Sequence, residues 1–448
     1  MKKLIYYTIT GILCTVFTQS IYAQTIYSDG AVIRINNGAV VHSNGGVVLT
    51  NSTNLANDGT LITTKSSSAA LPGNFEIRSN SNVDGNGIYR VEQNWVNDAT
   101  FIGGNGEVVL FGNEQQFITS DNGTATFFNH LTLEGVGIDI DRRKTLLNVD
   151  GATLTGGILT LNDRELSTQN NVFVVQNEDL EAILLNTTFN GEGFVSSTGS
   201  GALIRKMSET EYYLFPVGSS DDVRRYRPVK IQPNVNGETS FAVRMNNYSA
   251  SNDGYQVATH DNKIDYANEL FYHSIEQVDG AGNADLRFYY VPTEDAEWNS
   301  TGHWNDMDQQ WNNMLKTLKT DQGNFTYITK KAWDGIENGT QYILVNNNYT
   351  LIASEAFSPN GDGLNDFFTI DNLEAYPDSE LWIYNRWGAE VFHSDDYLND
   401  WDGRSQSKLN IGGDELPEGT YYYLLQLGGS DDQPGSGDIH KGFIYLKR

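Results

Sequence analysis

Between Gln24 and about Ser200 the apolar residues come in runs of three to five, each closed by Gly, Asn, Asp, Ser or Thr. Val32-Ile33-Arg34-Ile35, Val47-Val48-Leu49, Leu131-Thr132-Leu133 and Ile158-Leu159-Thr160-Leu161 are typical. Helical periodicity is absent, and Gly and Asn recur too often for a helix to survive. What remains is a sheet of very short strands. One arrangement that accommodates them is a parallel β-helix, in which successive turns stack their apolar residues into a continuous core. The other is a sandwich of hairpins. The runs are shorter than ordinary sandwich strands, and Phe127 to Val175 cycles closely through "FNHLTLEGVGIDI" and "TLLNVDGATLTGGILTLND". A solenoid is therefore expected over residues 24–200, with no fixed repeat length.

Near residue 201 the composition shifts. Aromatic residues rise and the strands lengthen, as in Tyr212–Val217, Phe241–Met245, Leu286–Val291 and Tyr342–Val345, with period-two alternation at Leu286, Phe288 and Tyr290. Residues 201–350 are expected to form an Ig-like β-sandwich, so the whole chain reads as all-β. Its 448 residues suit about two to four domains. The net charge of -28, with 29 Lys and Arg, argues against a nucleic-acid partner, because phosphates need a basic face.

Residues 1–23 read as a secretory signal. Lys2 and Lys3 precede the apolar run Leu4–Phe17, and Ile21-Tyr22-Ala23 offers a cleavage point before Gln24. The run is too short, and too often broken by Thr, to span a bilayer, and no later segment is apolar enough to do so as a helix. Cys14, the only cysteine, lies inside that signal. A chain starting at Gln24 thus has no disulfide, no thiol nucleophile and no Cys-based metal site.

The last stretch carries five ordered motifs. They are Phe357-Ser358-Pro359-Asn360-Gly361-Asp362-Gly363-Leu364-Asn365-Asp366, Leu381-Trp382-Ile383-Tyr384-Asn385-Arg386-Trp387-Gly388, Trp401-Asp402-Gly403, Pro417-Glu418-Gly419-Thr420-Tyr421-Tyr422-Tyr423 and Lys441-Gly442-Phe443-Ile444-Tyr445-Leu446. Short aromatic and β-branched runs separated by Asn-Gly, Asp-Gly and Trp-Gly turns predict a small antiparallel β-sandwich over residues 351–448. Tyr421 and Tyr423 should face one way and Tyr422 the other. Residues 353–448 resemble the gliding-motility-associated C-terminal domain of Bacteroidota, the type B sorting domain of type IX secretion. The run Gly428–Asp438 departs from that pattern and reads as a longer hairpin loop. The resemblance implies an export address, read by an outer-membrane translocon and a dedicated partner protein, and hence a secreted or cell-surface chain.

No H-E-x-x-H, G-x-S-x-G or phosphate-loop motif is present, and the seven His are scattered. Three constellations bear on chemistry. Asp139, Asp141, Arg142, Arg143 and Lys144 mix the charges a polysaccharide lyase needs to neutralise a uronate and take its proton; the plainer reading is a solvated turn. Trp298 and Trp304, near His303, could stack on sugar rings; the plainer reading is core packing. Asn360, Asp362 and Asp366 place oxygens in a Gly-containing loop that calcium could use, against an Asx-turn network without metal. The expected function is a non-enzymatic, adhesin-like surface protein. The alternative is a glycan-binding or lyase-like β-helix carried by the same address.

Overall fold

The computed structural model describes residues 21–23, 25–66, 73–134, 143–185, 193–315, 317–335, 340–347, 351–406, 414–428 and 437–448. It is almost entirely β. The chain divides into two compact units, one of residues 1–254, 269–288 and 332–342, the other of residues 255–268, 289–331 and 343–448.

The first unit begins as a three-sided parallel β-helix. Among the described residues it makes eight turns, each laying one strand on each face. The turns begin at Ile21, within the segment expected to be a secretory signal, and then at Val40, Thr60, Ile88, Glu107, His130, Leu159 and Ile183. The intervals run from 19 residues (Ile21 to Val40) to 29 (His130 to Leu159), which is why no repeat length is visible in the sequence. Parallel register stacks like on like. Leu61, Tyr89, Val108, Leu131, Leu159 and Ile183 form one buried column on the first face. Val47, Phe75, Trp95, Ile118 and Leu146 form another on the second. Aromatic rings fill the middle turns: Phe75 stacks on Trp95 with centroids 4.9 Å apart, and Phe101 meets Trp95 edge-on at 4.8 Å. Such contacts add to burial.

The frequent Asn residues are explained at the corners, where the ladder is interrupted and backbone groups need other partners. Asn74 Oδ1 accepts from the Asn94 amide of the next turn, and Asn94 Oδ1 from Phe117 one turn further. Asn57 donates across to Ile88 O at 3.2 Å. Gly85 passes so close that a Cβ there would sit 2.1 Å from Asn57 O, with φ at +114°; no other residue fits.

The composition shift near residue 201 marks a change of pairing inside one sheet. Ala202–Met207 pairs in parallel with Val172–Val175 of the solenoid and antiparallel with Thr239–Asn246, which then pairs with Tyr272–Asp279. A second antiparallel sheet joins Tyr213–Phe215, Val229–Pro233 and Ala284–Tyr290. His273 of the first sheet meets Phe288 of the second at 5.8 Å, so the two pack as a sandwich. Arg205 closes the solenoid core at this junction. Its buried guanidinium donates to Leu214 O and Asp179 O, and burial pulls it down to about 10.

The second unit holds the hairpin Ser300–Asn305 with Gln310–Asn313 and, at its end, a five-stranded sheet. In that sheet Glu380–Tyr384 pairs with Glu390–Ser394 on one side and Gly419–Gln426 on the other, and Gly419–Gln426 pairs with Ile439–Leu446. All of these are antiparallel, as expected. Ala356–Phe357 adds in parallel to Ile439–Leu446, which the sequence reading did not foresee. Leu427 and Asp438 close the last hairpin, whose loop residues 429–436 lie outside the described ones.

Candidate recognition surface

The motifs of the terminal domain are mostly core and turn chemistry. Trp401 is buried among Phe357, Phe392 and Tyr421, and its indole N–H donates to Arg404 O at 2.9 Å. Asn385 Oδ1 accepts from the Trp387 and Ala389 amides and holds the hairpin turn. Gly442 lies under Tyr423, and a Cβ there would meet its hydroxyl at 2.6 Å and two ring atoms at 2.7 Å. Arg448 fastens two loops, donating to Leu416 O and Gly403 O.

The strands alternate as expected: Tyr421 is buried, while Tyr422 is 50% exposed on the opposite face. Register then assembles a surface that the sequence reading missed. Tyr422 lies between Tyr384 and Phe443 on neighbouring strands, and Tyr445 stands opposite Thr420. Directly opposed residues of an antiparallel pair share a face, so these aromatics form one outward stripe. Phe443 is 64% exposed. Trp387, at the adjoining hairpin turn, is 74% exposed, with the Arg386 guanidinium over its ring at 4.1 Å. The alternation of each strand was the available signal; the pairing of Tyr422 with Phe443 needs the hairpin register.

The proposed calcium loop comes together. Asp366 accepts from Gly361 N at 2.7 Å and Gly363 N at 2.8 Å, one bond to each carboxylate oxygen. Asp362 accepts from Leu364 N and from the Asn360 amide. The bonds from Asn360 and Leu364 hold the Asp362 carboxyl below the usual carboxylate range. Every carboxylate oxygen thus already holds an N–H donor, the Asx-turn arrangement.

Trp298 and Trp304 are corrected by burial. They are 5% and 3% exposed. The Trp298 indole donates to Asp295 O, and Trp304 packs edge-on against its cross-strand partner Trp311 at 5.4 Å. Neither offers a free ring face to a sugar. His303 is buried beside them.

Of the mixed-charge cluster, Asp139, Asp141 and Arg142 lie outside the described residues. Arg143 and Lys144 point inward, against the solvated-turn reading. Arg143 donates to Asp221 and Ser220 and lies 3.5 Å from buried Glu165. Lys144 donates to Gly112 O at 2.7 Å and to the Gln116 side chain. Burial, with Arg164 nearby, lowers the Lys144 ammonium to about 7. Both side chains are buried and spend their donors on groups within the fold.

Residues 351–448 thus make a small β domain with a packed aromatic core and an outward aromatic stripe. Residues 351–446 match the family model of the CHU_C type IX secretion signal domain. The chain is therefore cargo of type IX secretion, delivered to the cell surface or beyond it. No curated protein and no solved structure matches it. No helix among the described residues is long and apolar enough to cross a membrane.

Proposed function

We propose that the chain is a non-enzymatic, adhesin-like surface protein, and that the secretion machinery reads its terminal domain through the outward aromatic stripe. The observation that carries the docking assignment is the exposure of Tyr422, Phe443 and Tyr445 on the sheet face opposite the packed core. A contiguous exposed apolar patch on a folded domain marks an interaction site. The test is a reporter fused to residues 353–448 behind a signal peptide, expressed in a type-IX-competent host and a translocon-deficient one. Export only in the competent host, lost in a Tyr422→Ser, Phe443→Ser double variant that still folds, is the expected result. Export of that variant at the unaltered level would overturn the docking assignment.

The body supplies the stiff surface an adhesin needs. Stacked short strands give a long, laterally exposed sheet, as solenoids do. One feature favours glycan contact over protein contact. On the outer side of the first face, Ile88, Glu107 and His130 stand in register, as do Thr132, Thr160 and Leu184, around a groove of about 330 Å³. The Ile158 amide donates to His130 Nδ1, which leaves Nε2–H as the groove's donor. Hydroxyl and imidazole groups between apolar side chains suit the mixed surface of a saccharide. Binding on a glycan array that disappears in His130→Ala would support this second reading, and silence across the array would remove it.

A further inference from the structure

A different set of side chains gathers at the other end of the terminal sheet. Trp382 pairs with His393 and Leu381 with Ser394, so Glu380 and Asp395 flank the same open end of that hairpin. Alternation puts Glu380 and Trp382 on one face, and His393 and Asp395 on that same face. Ligand atoms of Glu380, His393 and Asp395 all lie within 4.8 Å of one another.

Two observations set this group apart from a chance cluster of charges. The His393 ring is oriented: it lies parallel to the Trp382 indole, with centroids 5.0 Å apart and 10° between planes. Its Nε2 is also shut off from solvent and makes no hydrogen bond, although Asp395 Oδ1 is only 3.2 Å away. This nitrogen makes no hydrogen bond, although the His393 side chain is 34% exposed and Asp395 beside it is 87% exposed. The nitrogen is satisfied if a cation sits between them. Ligands bound at about 2.0–2.1 Å in tetrahedral geometry stand roughly 3.3 Å apart, close to the 3.2 Å between His393 Nε2 and Asp395 Oδ1, with Glu380 within 4.8 Å of both.

We propose that Glu380, His393 and Asp395 form a zinc site on the hairpin Glu380–Tyr384/Glu390–Ser394. One imidazole nitrogen and two carboxylate oxygens suit a borderline ion better than calcium or magnesium, which take all-oxygen sets. Three protein ligands leave the fourth position to water. The ion would tie the edge strand Glu390–Ser394 to its neighbour, where the backbone pairing ends. The site lies away from Tyr422 and Phe443, and zinc binding stands or falls independently of how the domain is recognised.

The test uses the full chain and zinc chloride alone, by isothermal titration after chelator treatment, with calcium and magnesium as competitors. One zinc per chain is expected, undisturbed by either competitor at a hundredfold excess. Affinity should fall at least tenfold in His393→Gln and in Asp395→Asn, with unchanged circular dichroism. Glu380→Gln, which keeps the side chain's size, covers the case in which a His393 variant fails to fold. Hydrogen exchange in Glu390–Ser394 should slow when zinc is added. No stoichiometric binding, or binding that all three variants retain, would overturn the site; the latter would mean adventitious zinc only.

Discussion

At Lys144 an ammonium group is buried against Gly112 O and the Gln116 side chain, with no carboxylate bonded to it among the described residues. Its folded value of about 7 lies below the ordinary 10.5. At low pH the folded chain therefore carries a costly buried charge that the unfolded chain carries freely. As pH rises above about 7 the folded state releases the proton first, the unfolded chain binds more protons, and stability rises until about 10.5. Lys144→Met removes this term. The difference in unfolding free energy between native chain and variant should grow by about 2 kcal/mol in the native chain's favour from pH 7 to pH 9. Urea titrations at both pH values measure it; a constant difference would refute the assignment. At Gly442 the constraint is steric. A methyl group there meets the Tyr423 ring, which packs against Phe368 at 5.3 Å. Gly442→Ala should cost about 1–3 kcal/mol through overpacking, and Gly442→Ala with Tyr423→Leu should recover most of it in the same denaturant assay.

Single strands show how burial sorts neighbouring residues. Tyr421 is enclosed, touches Trp401 and donates to Pro417 O at 2.8 Å, whereas Tyr422 faces outward. Tyr421→Ala should cost about 3 kcal/mol as a buried aromatic truncation. Tyr422→Ser should stay within about 0.5 kcal/mol as a surface change. Thermal melts of the two variants make the comparison, and equal losses would contradict the face assignment. This parity was legible in the sequence, as were the short strands of the solenoid and the turn chemistry of the Asn360–Asp366 loop. What was not legible depends on pairing at a distance. The turns of the solenoid differ in length, from 19 to 29 residues, so no period appears. Trp304 reads as a sugar platform until the hairpin sets it against Trp311. Arg143 reads as a surface charge until the following turn brings Glu165 beside it. The aromatic stripe and the Glu380–His393–Asp395 group both require strands whose register no local pattern states.

Across the whole chain, no internal disulfide adds to burial and sheet hydrogen bonding. One cysteine cannot form an internal disulfide. The melting temperature should be the same with and without dithiothreitol, and a shift on reduction would point to a covalent link between chains. The strand Ala202–Met207 has a further effect at this scale. A parallel stack exposes unpaired amides and carbonyls on its last turn, and such an edge can template another copy. Here Thr239–Asn246 occupies the third face of that edge, and the Val195 amide donates to Pro216 O on the second. Two of three sides are closed by the chain's own continuation. With two of its three sides occupied, that end of the solenoid is a poor template for a further turn supplied by another copy.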